Sequence, residues 1–188
     1  SILNQAGYKC NLYTSPHLQS YTERYVYDDK EINEDNLADL LEDIEKINGS
    51  DNLSEFEALT CAYLKYCEQY KDNITFVESG LFHQYDAGSV FKNNLCTLLG
   101  SISIDHLSWL ANKTIEGIIH EKTTKLLNSK IFVNKQENKE VALKIKNALK
   151  DNKSEKYFYG EDFNYLRAEN NFIQYEDVKG SLILPEPN

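Results

Sequence analysis

The chain has 188 residues, of which 41% are hydrophobic, 27% charged and 12% aromatic, a composition typical of a globular protein. Thirty acidic side chains against 20 basic ones give a net charge of −10, which argues against a protein that binds nucleic-acid phosphates. No apolar run approaches the roughly 20 residues of a membrane-spanning helix, and residues 1–9 lack the layout of a signal peptide. We therefore expect neither a nucleic-acid nor a membrane partner.

Hydrophobic periodicity and turn residues divide the chain into alternating strands and helices. In chain order we expect strands at 8–14 and 24–27, helices at 33–47 and 54–67, strands at 74–77 and 95–104, a helix at 114–127, a strand at 130–133, a helix at 138–149, and strands at 157–159, 172–175 and 181–184. We expect Asn33 to cap the first of these helices, and Ser54 and Glu57 have the spacing of a capping box at the start of the second. This alternation predicts a single α/β domain over residues 1–188, with a mostly parallel sheet, helices on both faces and a small β tail. Residues 1–6 resemble the last turns of a helix that Gly7 closes, so we expect further sequence upstream.

The sulfur-containing residues bear on the cellular compartment. Cys10, Cys61, Cys67 and Cys96 form no CxxC pair, and two of them lie in apolar, strand-like runs. Such cysteines are more often buried thiols than disulfide partners, so we expect free core thiols and a cytoplasmic protein. Because the sequence contains no methionine, even at its start, we expect it to be less than a whole natural chain.

Three polar groups follow the predicted ends of buried strands: Ser15, Glu78 and the pair Asp105-His106. Ligands of open α/β sheets collect at the carboxyl ends of strands, where a hydroxyl, a carboxylate and an imidazole could together hold Mg²⁺. The pattern leaves a plainer alternative open, in which Ser15 caps a turn, Glu78 is solvated and His106 bonds locally. No glycine fits the nucleotide-binding pattern G-x-x-x-x-G-K-[ST].

Several segments, taken together and in order, resemble the folylpolyglutamate synthase/dihydrofolate synthase family of Mur-type ligases. They are SILNQAGYK at 1–9, YTSPHL at 13–18, YTER at 21–24, FE at 56–57, ESGL at 78–81, DA at 86–87, SISIDH at 101–106, EK at 121–122 and LPEPN at 184–188. The resemblance implies the central part of the family's N-terminal ATPase domain, with a P-loop-type core that lacks the phosphate loop. It also implies that the C-terminal, glutamate-binding domain is absent from this chain.

Members of this family use ATP and Mg²⁺ to convert the carboxyl group of a folate or dihydropteroate into an acyl phosphate, which the amine of L-glutamate attacks. The resemblance therefore implies ATP and Mg²⁺ as cofactors, and a folate or dihydropteroate with L-glutamate as partners. By position it implies Ser15, Glu78 and His106 as Mg²⁺ ligands. It implies that Lys122 is carbamylated by CO₂ into an anionic metal ligand, although a solvated helix lysine is the plainer alternative.

The resemblance also implies contacts with the pteridine substrate. The implied residues are Ser54, Glu55, Phe56, Glu57, Tyr85, Asp86 and Ala87. Phe56 could equally be a hydrophobic core residue on its helix, without a ligand role.

The chain departs from the family pattern E-x-G-L-G-G-R-x-D-A-T-N. Phe82-His83-Gln84 replaces Gly-Gly-Arg, which removes two glycines and a cation, and Gly88-Ser89 replaces Thr-Asn. Two hypotheses follow. The chain is the central piece of a ligase that another segment or a complementing chain completes, or it is an inactive remnant that persists as a folded fragment or interaction module. Apolar surface exposed on such a fragment would favour self-association.

Overall fold

The computed structural model describes residues 2–126, 129–168 and 172–185. Its helices are α1 (Ile2–Gln5), α2 (Glu34–Asn48), α3 (Glu55–Cys67), α4 (Ile115–Thr123) and α5 (Lys139–Ala148). Its strands are β1 (Cys10–Tyr13), β2 (Tyr25–Tyr27), β3 (Lys30–Glu31), β4 (Ile74–Val77), β5 (Cys96–Leu99), β6 (Lys130–Val133), β7 (Lys156–Phe158), β8 (Phe163–Ala168), β9 (Phe172–Asp177) and β10 (Gly180–Pro185). The α/β class is confirmed. The chain divides into two compact units, Ser1–Val90 and Phe91–Asn188, and the single domain stays a prediction.

The first unit contains a four-stranded sheet in the order β3-β2-β1-β4. β1 runs parallel to β4, with Tyr13 opposite Val77, and antiparallel to β2. The sequence predicts β2 but not β3, the second strand of this short hairpin. The hairpin turns through Asp28 and Asp29, whose φ angles of 50° and 64° suit a tight hairpin loop.

Side-chain caps begin both long helices of this unit, as predicted. The side chain of Asn33 accepts a hydrogen bond of 2.8 Å from the backbone N–H of Asn36 at the start of α2. Ser54 and Glu57 form a reciprocal capping box at the start of α3.

Tyrosines fill much of the core between this sheet and its helices. Tyr13, Tyr25 and Tyr63 are fully buried, and the ring centroids of Tyr13 and Tyr63 lie 4.9 Å apart. The Tyr25 hydroxyl donates to the carbonyl of Leu59 at 2.9 Å. This packing ties β1 to α3 and so fixes the carboxyl end of β1.

The second unit combines a parallel sheet in the order β5-β6-β7 with an antiparallel meander, β8-β9-β10. Ile131 and Val133 of β6 are buried, as are Val141 and Ile145 of α5. The strand expected at 95–104 is shorter than predicted. Gln136 explains this, because its side chain accepts from the N–H of Ile102 and donates to the carbonyl of Gly100.

Three other expectations need correction or fall outside the described residues. Cys61 and Cys96 are exposed, so the core position expected of all the thiols is wrong for these two. The helix expected at 114–127 ends at Thr123. Some residues of the expected elements and matching motifs lie outside the described part of the chain, namely residues 1, 127–128 and 186–188. Within the described residues, no helix is both long and apolar enough to cross a bilayer.

Candidate functional site

Ser15 and Glu78 lie together at the carboxyl ends of β1 and β4. These strands are parallel neighbours that end in register, so the residues that follow them emerge at the same edge. The backbone N–H of Ser15 donates a hydrogen bond of 2.9 Å to one carboxylate oxygen of Glu78. A hydroxyl and a carboxylate, both predicted as metal ligands, therefore meet in one place.

The donors at this edge fit Mg²⁺, which prefers oxygen ligands and retains several waters. Within the described residues, neither the Ser15 hydroxyl nor the second oxygen of Glu78 has a hydrogen-bond partner. The same residues contain no cluster of three or more His, Cys, Asp or Glu side chains arranged for a metal ion. The complete ligand set of Ser15, Glu78 and His106 stays a prediction.

His106 and Lys122 belong to the second unit. His106 has a left-handed backbone, with φ of 51°, and its Nε2 lies 3.4 Å from the carboxylate of Asp105. Such a conformation is uncommon for residues other than glycine and concentrates at functional positions. Lys122 lies half-buried on α4, and its carbamylation stays a prediction.

The loop after β4 is organised around the buried carboxylate of Asp86. One oxygen accepts from the N–H groups of Gly80 and Leu81, at 2.9 and 3.0 Å, and the other from Gly88 at 2.8 Å. Three such bonds bind a carboxylate tightly to the backbone. The structure thus gives Asp86 a role in shaping this loop, and its contact with a pteridine stays a prediction.

Phe56 packs between the core and this loop. Its ring centroid lies 6.1 Å from that of Tyr13, and a Cβ added to Gly80 would approach the ring to 2.5 Å. Gly80 is therefore the residue that lets the loop pass over the ring. Tyr85 is 82% exposed and Ala87 half-buried on the same loop, so both are accessible to a ligand.

The segment from Ser54 to Glu57 is exposed, apart from Phe56, and partly occupied by its own hydrogen bonds. Bonds from the hydroxyl and N–H of Ser54 lower the pKa of the Glu57 carboxyl. Glu55 accepts a hydrogen bond of 2.7 Å from the hydroxyl of Tyr21. The helix start thus has a structural function of its own, and its ligand contacts stay a prediction.

The altered tripeptide Phe82-His83-Gln84 has an unusual backbone angle and a buried polar atom. Phe82 has a φ of 56°, a left-handed conformation that glycine adopts easily and a bulky side chain does not. The side-chain oxygen of Gln84 is buried and has no hydrogen-bond partner among the described residues. Both features lie at positions where the family pattern has glycine or arginine.

One cluster was missed by the sequence analysis. Arg24 is buried, its Nε donates to Nδ1 of His17 at 3.0 Å, and its guanidinium lies 5.4 Å from the centre of the Tyr21 ring. The sequence identifies these residues only as part of the matching motifs, because hydrophobic periodicity carries no signal for a buried cation beside a loop histidine.

Comparison with known proteins supports the motif-based resemblance. No protein-family model matches the chain. Dihydrofolate synthase/folylpolyglutamate synthase of Escherichia coli is 34% identical over 110 residues, which are 58% of this chain and 26% of that protein. The protein of the same name from Buchnera aphidicola subsp. Schizaphis graminum is 34% identical over 134 residues, or 70% of this chain and 31% of that protein.

Solved structures agree with these relatives. The structure of E. coli FolC in complex with DHPP and ADP matches 100% of this chain and 44% of its own, with a TM-score of 0.86 and 28% identity. The bifunctional folylpolyglutamate synthase/dihydrofolate synthase of Yersinia pestis, complexed with AMPPNP and Mn ion, gives a TM-score of 0.83, 25% identity, and coverage of 96% and 43%. The chain spans about a third or less of the curated relatives just described. It is therefore related in sequence and in fold to the dihydrofolate synthase/folylpolyglutamate synthase family, and corresponds to part of such a protein.

Proposed function

We propose that this chain is part of a ligase that uses ATP and Mg²⁺ to join L-glutamate to the carboxyl group of a folate or dihydropteroate. The single observation that carries the proposal is the hydrogen bond between Ser15 and Glu78 at the ends of two parallel strands. It unites residues from two of the family's sequence motifs at the edge where α/β sheets bind ligands. A cytoplasmic location is consistent with the four free cysteines of the structure, because disulfides are rare in that reducing compartment.

In this proposal, four residues of the chain bind or orient the metal ion. The Ser15 hydroxyl, the Glu78 carboxylate and the His106 imidazole would hold Mg²⁺, which supplies neutralising charge for phosphoryl transfer when bound. The N–H of Ser15 orients Glu78 by fixing one of its oxygens. A carbamate on Lys122 would add an anionic ligand that an ammonium group cannot provide.

The loop after β4 and the start of α3 would contact the pteridine. Asp86 holds the loop in shape, and Phe56 offers a half-buried aromatic ring beneath it. Tyr85 adds an exposed ring for stacking on a flat heterocycle.

A second candidate function, that of an inactive remnant, is favoured by the altered loop. The left-handed Phe82 and the unpartnered Gln84 oxygen carry conformational and desolvation costs that a loop with the family's Gly-Gly-Arg would not have. A remnant of this kind would persist through self-association or binding to a complementing chain.

Two forms of the protein separate the candidates. We expect the purified 188-residue chain to release no ADP from Mg-ATP with L-glutamate and dihydropteroate or tetrahydrofolate, because its sequence contains no phosphate-loop pattern. Substituted for the matching part of E. coli FolC, without removing that protein's own phosphate loop, the chain should support ADP release that requires both glutamate and the pterin. A folded chimera without such release would favour the remnant.

A further inference from the structure

Arg24 carries a buried positive charge that forms no ion pair within the described residues. The residue is 9% exposed, and no carboxylate in the described part of the chain pairs with its guanidinium. The neighbouring acids are engaged elsewhere: Glu23 accepts from the backbone N–H groups of residues 18–20, and Glu55 accepts from Tyr21. Because buried charges are costly without a charged partner, an anion bound near Arg24 would stabilise this arrangement.

The contact with Arg24 fixes the tautomer of His17. A guanidinium can only donate hydrogen bonds, so the Nδ1 atom that meets Arg24 Nε at 3.0 Å must be an acceptor. The proton of the neutral imidazole therefore lies on Nε2. The His17 and Tyr21 ring centroids lie 4.2 Å apart, which restricts the imidazole further.

The Nε2–H group of His17 is available to a ligand. The ring is half-buried, and within residues 2–126, 129–168 and 172–185 no atom accepts a hydrogen bond from Nε2. His17 follows Ser15 by two residues on the loop after β1. It therefore belongs to the same strand-end loop as the predicted metal ligand.

We propose that His17 is a binding residue whose Nε2–H donates to an anionic oxygen of the substrate, either a carboxylate or a phosphate oxygen. The Arg24 cation polarises the imidazole and so strengthens this bond, and the bound anion in turn compensates the buried charge. The inference rests on the proposed function, since that function brings a carboxylate and a phosphate to this edge of the sheet. It adds to that function a recognition residue outside the predicted metal and pteridine contacts.

The tautomer can be tested without any ligand. Nitrogen-15 NMR of the histidine side chains in the purified chain should show His17 protonated at Nε2 and accepting at Nδ1. Arg24→Met should remove the change in the nitrogen-15 chemical shift of His17 Nδ1 that marks a hydrogen-bond acceptor. His120→Ala, a change on α4, should leave that chemical shift as it is in the unchanged chain. A His17 that is protonated at Nδ1 would overturn the inference, whatever the chain binds.

Binding tests the ligand. We expect saturable binding of pteroate or inorganic phosphate to the chain, and His17→Ala should weaken it about 10-fold to 100-fold, the effect of one hydrogen bond to a charged group. His17→Gln retains a donor and should recover most of the affinity, whereas His120→Ala should match the unchanged chain. Loss confined to pteroate assigns the carboxylate, and loss confined to phosphate assigns the phosphoryl group.

The outcomes separate the inference from the proposed function. If the unchanged chain binds an anion and His17→Ala binds it equally well, only the inference is overturned. If the unchanged chain binds neither anion, the inference falls and the acceptor site of the proposed function loses its support. A His17→Gln variant as weak as His17→Ala would also contradict the role assigned to the Nε2–H donor.

Discussion

Asp86→Asn should loosen the loop after β4 by removing the charge at its centre. An asparagine oxygen can keep the bonds from Gly80 and Leu81, but its amide group then faces the N–H of Gly88, which donates at 2.8 Å in the native structure. One charge-assisted bond is lost and a buried donor is left without an acceptor, at a cost of about 2–4 kcal/mol for the local structure.

Amide hydrogen exchange measures this local cost directly. The amides of Gly80, Leu81 and Gly88 should exchange between about 30-fold and 700-fold faster in the variant, as the free-energy range above implies. The matched control is Asp39→Asn on the exposed face of α2, where we expect an effect within about 0.5 kcal/mol. Exchange at these three amides within about threefold of the unchanged chain would refute the role assigned to Asp86.

Three further changes test the same region. Gly80→Ala should destabilise the first unit by about 1–3 kcal/mol in urea unfolding, since the new Cβ would lie 2.5–2.9 Å from atoms of the Phe56 ring; unchanged stability would contradict that packing. Phe82→Gly should be about 1 kcal/mol more stable than Phe82→Ala, because only glycine adopts a φ of 56° freely, and the opposite order would exclude this backbone conformation. Ser54→Ala should cost about 1 kcal/mol at pH 7 through loss of the helix cap. Hydrogen bonds from Ser54 lower the pKa of Glu57, so the stabilisation from this carboxylate is present above its ordinary pKa and is lost as pH falls through the lowered value. The destabilisation caused by Ser54→Ala should therefore be smaller in acid than at pH 7. A destabilisation that does not depend on pH would argue against the capping box.

Local features of the fold were predictable because they depend on residues close in sequence. The caps at Asn33 and Ser54 follow from side chains that reach backbone N–H groups two or three residues ahead, and both form as expected. The meeting of Ser15 and Glu78 followed from a simple geometric rule, since parallel strands end at one edge.

Features that depend on residues distant in sequence could not be predicted from local patterns. β8 was missed because its residues, Phe163–Ala168, mix polar and apolar side chains without alternation, and its pairing with β9 sets its structure. The strand at 95–104 was overextended because Gln136, far along the chain, takes the hydrogen bonds beyond Leu99. The resemblance implies substrate contact for Asp86, but its bonds to the loop backbone depend on the three-dimensional fold and carry no sequence signal.

The most direct test of the central claim is the identity of the product. The chimera in which residues 1–188 replace the matching part of E. coli FolC should be incubated with Mg-ATP, L-glutamate and dihydropteroate, and the products analysed by mass spectrometry. The account predicts dihydropteroate extended by one glutamyl residue, formed only when ATP is present and lost in Glu78→Gln but not in the exposed control Glu68→Gln. A folded chimera that forms no such product, or one that forms it equally well with Glu78→Gln, would contradict the account.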